Sequence, residues 1–154
     1  MAQRRPSDLE AHLGYWLRLV SNAVSQAFAR RVELEGVTVA EWVVLRVLFD
    51  APAPGMAPSA LAAAMGMTRG AISRLADRLV EKELLARAPD PVDRRAQILA
   101  LTPMGAALVP RLAALADEND AAFFGILEPA EWASLAHLLR KLGQGNRLTG
   151  MPID

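Results

Sequence analysis

Two groups of arginines are spaced as readers of a polyanion. Arg69 and Arg74 fall in the first half of a helical pattern, on the face opposite its apolar stripe. Arg94 and Arg95 end a Pro- and Asp-rich stretch, Pro89 to Arg95, that favours a turn between two short strands. A guanidinium pairs bidentately with guanine in a DNA major groove, or sits in the negative potential of a narrow A·T-rich minor groove. Thr68 suits the N-cap of the helix, where free amides are able to hold a phosphate. Gly70, Ser73, Asp77 and Arg78 share the polar face, and Arg78, Lys82 and Arg87 suit phosphate positioning better than base reading. A plain solvated face is the competing explanation, because Asp77, Glu81 and Glu83 interleave with the basic residues.

Composition removes several other chemistries. The 154 residues include 17 Lys or Arg and 17 Asp or Glu, so only the distribution of charge, not its sum, argues for a nucleic-acid partner. There is no cysteine, which excludes disulfides, thiolate metal sites and cysteine nucleophiles. His12 and His137 are too few for zinc, and neither a metal nor any other cofactor is expected. No phosphate-cradling glycine loop is present, and Ser59 and Ser73 have no evident base beside them, so no enzymatic activity is expected. Met1 to Ser7 carries two arginines without an apolar segment after it, and no apolar run reaches the roughly 18 residues of a membrane span, which predicts a cytoplasmic chain. The hydrophobic fraction of 53% exceeds what a soluble domain of this size needs and predicts apolar surface hidden between subunits.

The elements that must carry the arginines follow from periodicity. Leu9, Leu13, Trp16, Leu17, Val20, Val24 and Phe28 recur at steps of three and four, predicting one helix from Leu9 to about Val32. Thr38-Val39-Ala40-Glu41 has the form of a capping box opening a helix to about Phe49. Asp50 to Ala57 predicts a loop, Pro58 the first turn of a short helix, and Gly66 its end. The helix after Thr68 buries Ile72, Leu75, Ala76 and Leu79 and runs to about Lys82. Leu84 to Ala88 and Ala96 to Leu101 then predict a hairpin. Thr102-Pro103 starts a long helix to about Leu127, Pro129 another through Leu142, and Gly143, Gly145 and Gly150 predict a frayed tail. The expected fold is mainly α with a small β-hairpin wing: a winged helix-turn-helix between long N- and C-terminal helices.

Asp93-Arg94-Arg95-Ala96-Gln97-Ile98-Leu99-Ala100-Leu101-Thr102 resembles the wing signature of the MarR family of transcription regulators, and Gly66 to Lys82 resembles that family's recognition helix. The resemblance implies one domain over 1–154, with dimerisation helices at 1–34 and 103–143, a DNA-binding part at 38–102 and a tail at 144–154. It implies that Arg95 enters the minor groove, that Asp93 fixes the wing and that Arg74 approaches base edges, with Arg69 and Ser73 as further contacts. Two positions depart from the pattern. Glu83 stands where the family commonly has a glycine, and such a position often needs positive φ, which leaves the wing angle open. Ala57 replaces the usual Ser or Thr cap before Pro58, at a cost of about 1 kcal/mol.

A first helix of about 24 residues spans roughly 36 Å, more than a small winged core covers from one side. Pairing the terminal helices with those of a second copy buries the remainder. This predicts a homodimer with recognition helices about 34 Å apart on a palindromic, double-stranded operator, acting as a repressor. The resemblance also implies release by a small aromatic or anionic effector in a cleft between the dimer helices and the winged part, for which His12, Tyr15, Trp16, Arg18 and Trp42 are the candidates. Each has a structural alternative: the tryptophans as core, His12 as an interface or surface residue. A winged helix that docks onto protein and not onto DNA is the other open reading of the whole.

Overall fold

A computed structural model of the chain describes residues 5–52 and 54–153. The first four residues of the basic opening stretch and Ala53 of the proline-rich loop lie outside them. Helix α1 covers Leu13–Glu33, α2 Val39–Asp50, α3 Pro58–Met65 and α4 Arg69–Glu81; strands β1, Leu85–Pro89, and β2, Gln97–Leu101, follow, then α5, Pro103–Phe124, and α6, Pro129–Gly145. No helix among the described residues is long and apolar enough to cross a membrane.

The first helix starts four residues later than its periodicity predicts. Leu9–Ala11 form a 3-10 turn and His12 is extended. In a continuous helix the Glu10 carbonyl would accept from the amide of Gly14, but it accepts from the Trp16 indole N–H at 2.9 Å. Gly14, a weak helix former, sits at the break. The capping box of α2 forms as its sequence predicts: the Glu41 amide donates to Thr38 Oγ1 at 3.2 Å and the Thr38 amide to Glu41 Oε2 at 2.8 Å.

β1 and β2 are antiparallel, pairing Leu85 with Leu101 through to Pro89 with Gln97. The free edge of β2 is covered, which the loop reading of Asp50 to Ala57 missed: Met56 exchanges two backbone hydrogen bonds with Leu99, at 2.8 and 3.0 Å. Gly55 makes that approach feasible, because a Cβ there would run into the Leu99 carbonyl. Leu45, Leu61, Ile72, Leu79, Leu99 and Leu112 are fully buried and join α2, α3, α4, the hairpin and α5 into one core. The expected frayed tail is instead laid back on the domain: Ile153 packs against this core and Gly150 passes beside Gly66.

Candidate nucleic-acid interface

Helix α4 is set at both ends by local chemistry. Gly66 closes α3 in the left-handed conformation, φ 66°, and Thr68 caps α4 by accepting from the Ala71 amide at 3.2 Å. At the other end the Glu83 amide donates to Val80 and the Leu84 amide to Leu79, both at 2.9 Å, a Schellman closure with Glu83 at its left-handed position. Its φ is +59°, so the helix ends as a glycine there would end it, at a cost of about 1 kcal/mol for the side chain. Thr102 locks the turn: its hydroxyl donates to the Glu83 carbonyl at 2.6 Å and its amide to Leu84 at 3.1 Å. The N-terminal turn of α5 seats against Leu84 through Gly105, where a Cβ would strike the Leu84 carbonyl.

Ile72, Leu75, Ala76 and Leu79 are buried, which turns the opposite face of α4 to solvent. At about 100° per residue, Gly70 and Arg74 lie opposite the buried stripe, Ser73 and Asp77 lean toward β1, and Arg78 leans toward α2. The partners agree: Asp77 accepts from Arg87 of β1, and Arg78 faces Glu41 of α2. Arg69, Ser73 and Arg74 are exposed, and neither arginine enters an ion pair among the described residues.

The wing tip is organised by two aspartates. Asp90 Oδ1 accepts from the amides of Val92 and Asp93, at 2.8 and 3.3 Å, and Asp93 Oδ1 accepts from the Arg95 amide at 3.0 Å. These short side-chain turns present Arg94 and Arg95 to solvent, again without ion pairs among the described residues. Asp93 was a sequence candidate; Asp90 was not, although Asp followed by Pro is the signal that marks it.

Of the three cations expected to position phosphates, Lys82 and Arg87 are engaged within the chain and Arg78 only in part. Lys82 Nζ donates to Glu41 Oε2 at 2.7 Å and to the Gly36 carbonyl at 2.9 Å, while Arg87 pairs with Asp77. Arg78 Nε stands 3.4 Å from Glu41 Oε1, with its side chain 55% exposed. Glu41 itself is 1% exposed, and its Oε1 accepts no hydrogen bond. No spacing in the sequence announces this link between α2 and the end of α4, because its members are some forty residues apart.

The effector candidates separate in space. Trp42 lines an apolar cavity of about 450 Å³ between α1 and α2, with Phe28, Val39 and Val43. His12, Tyr15, Trp16 and Arg18 are exposed at the start of α1 and do not line this cavity. There Trp16 packs edge-on against Tyr15, ring centres 5.3 Å apart. No group of three or more metal-ligating side chains occurs among the described residues.

A family model described as MarR family matches residues 35–96. A putative transcriptional regulatory protein for the hcr operon of Thauera aromatica is 34% identical over 143 residues, 92% of this chain and 85% of that protein. The chain belongs to the MarR family. It is a DNA-binding transcription regulator of winged helix-turn-helix build. Among solved structures, Bordetella bronchiseptica BpsR, studied for regulation of its DNA binding by 6-hydroxynicotinic acid, superposes with a TM-score of 0.74 at 29% identity, over 90% of this chain and 98% of BpsR. A mutant of Escherichia coli MarR complexed with operator DNA superposes at 0.73 and 28% identity, over 88% of this chain and 99% of that one. The MarR match from residue 35 starts just before the Thr38 cap and ends in the wing at Ala96, so it takes in both arginine groups.

Proposed function

We propose that this MarR-family chain acts in the cytoplasm as a homodimeric repressor, not an enzyme, reading a palindromic operator with α4 in the major groove and the wing in the adjacent minor groove. The observation that carries this reading is that α4 and the wing lie side by side with Arg69, Arg74, Arg94 and Arg95 exposed and in no ion pair among the described residues. Arg74, opposite the buried stripe, reads base edges, with Arg69 and Ser73 beside it. Arg95 enters the minor groove, Arg94 meets the backbone, and Asp93 holds the tip in shape. The amides after Thr68 hold a phosphate, and Arg78 reaches another from the flank.

The dimer rests on bare apolar faces. α6 has no buried residue although Trp132, Leu135, Leu138, Leu139 and Leu142 follow one stripe along it, and Leu13, Trp16, Leu17 and Val20 of α1 are equally uncovered. Pairing these helices with a second copy removes them from water. Residues 38–102 are then the DNA-binding part, and the helices within 1–34 and 103–143 the dimerisation part. A small aromatic effector in the cavity beside Trp42 releases the operator, a reading supported by the regulation of BpsR by 6-hydroxynicotinic acid.

Selection of bound sequences from random duplex DNA, with and without phenols and aromatic carboxylates, tests the reading. A palindrome should be enriched, and a phenol or carboxylate should lower its recovery. Arg95→Ala should weaken the selected duplex by about 1–3 kcal/mol, and binding should fall steeply with salt. Recovery of no preferred sequence would remove the operator reading, and undiminished affinity in Arg95→Ala would remove the wing's role.

A further inference from the structure

The cavity between α1 and α2 has a definite chemical character. Phe28, Trp42 and Val43 give it apolar walls, and its polar side chains, Ser25 and Gln26, are uncharged. An adjoining cavity shares Ser25, Phe28 and Trp42 and continues to Asn119 and Asp120 of α5. Among the described residues the charge that lines this combined space is therefore negative, and no Lys, Arg or His borders it. A carboxylate entering it would give up its water, meet no cation and face Asp120.

Together with Ala29 and Val39, Met151 and Pro152 complete the wall. Among the described residues, the segment that carries Met151 and Pro152 is held by packing. Ile153 lies against the core, and no hydrogen bond among the described residues joins 150–153 to the rest of the chain. Gly150 passes so near the turn between α3 and α4 that a Cβ on Gly66 would stand 3.1 Å from the Gly150 Cα. One short segment thus lines the cavity and passes beside the turn that leads into α4.

We propose that this cavity binds an uncharged aromatic molecule in competition with the chain's own Met151 and Pro152. The proposal rests on the effector reading above and adds the ligand's charge class and its internal competitor. Packing without hydrogen bonds is exchanged for equivalent packing by another apolar group, so a flat ring seated on Phe28 and Trp42 lifts the segment. Gly150 then leaves Gly66, and the turn before α4 is loosened.

The test compares 2-naphthol with 2-naphthoate by calorimetric titration of three proteins: the full chain, a chain ending at Thr149, and full-length Met151→Ser. In the full chain 2-naphthol should bind at least about tenfold more tightly than 2-naphthoate, since only the anion meets the desolvation cost. Both variants should bind 2-naphthol roughly three- to tenfold more tightly than the full chain, as expected when a segment occupies the site most of the time. Hydrogen exchange at the Gly66 and Met67 amides should quicken on shortening, and in the full chain on adding 2-naphthol. Equal affinity of the three proteins for 2-naphthol would overturn the competition and leave the effector reading standing. Preference for 2-naphthoate would overturn the charge class. No binding of either compound to any of the three would overturn both this proposal and the effector reading. Should the shortened chain not fold, Met151→Ser alone decides the competition.

Discussion

The winged unit and the outer helices bury their apolar residues in different ways. Between α2 and the start of α5, side chains such as Leu45, Ile72 and Leu99 are completely enclosed by their own chain. In α6 and the first half of α1 the apolar residues are as regularly spaced, yet among the described residues none of them is buried. Hydrophobic periodicity therefore reports that a face will be buried, not by whom. The first region is a folding core, whereas the second is, in the dimer proposed above, half of an interface whose other half is an identical copy.

The comparison is broken most sharply by truncating a core side chain. Leu45→Ala should lower unfolding free energy by about 2–5 kcal/mol in denaturant titration, whereas Leu138→Ala on α6 should change the unfolding of a dilute, monomeric sample by less than about 1 kcal/mol. Equal losses would mean that α6 belongs to the same core. Glu41→Ala comes next, because it removes an N-terminal cap and the partner of Lys82 together. A loss of about 2–4 kcal/mol is expected, discounted for the partial exposure of Lys82 and Arg78, and a loss below 1 kcal/mol would show that the buried carboxylate does not hold α2 to α4.

Leu138→Glu sharpens the other side. It should raise the dimer dissociation constant at least about tenfold by light scattering, worth about 1.4 kcal/mol, while the circular dichroism of the winged unit stays unchanged. An unaltered dimer would place the interface elsewhere. The smallest effect concerns the joint between α4 and the wing. Glu83→Gly should raise stability by up to about 1 kcal/mol, since a left-handed C′ position suits glycine, and a clear loss would show that Thr102 selects the glutamate backbone for another reason.

Much of the DNA-facing unit was legible because its signals are local. Thr38 with Glu41, Pro58, Gly66 and Thr68 mark helix ends through local signals, and of the two outcomes open at Glu83, positive φ or a different helix end, the structure takes the first. What was missed depends on distant partners. Met56 joins β2 only because Gly55 lets the chain approach Leu99, and Arg78 and Lys82 meet Glu41 across the packing of α2 on α4. The effector candidates divided for the same reason: Trp42 turns toward a cavity, while the indole of Trp16 is committed to the Glu10 carbonyl at the broken start of α1.

By itself the amino-acid order determined which segments are helices and strands, where most of them end, the start of α1 excepted, and that arginines occupy one helix face and one hairpin tip. Those properties arise from backbone hydrogen bonds and side-chain spacing over a few residues. Only the tertiary structure decided which arginines are left free for an anion and which are spent on the chain's own carboxylates. It also decided that residues 150–153 lie over a cavity and against the turn before α4, because such pairings depend on the through-space approach of elements that the chain order keeps far apart.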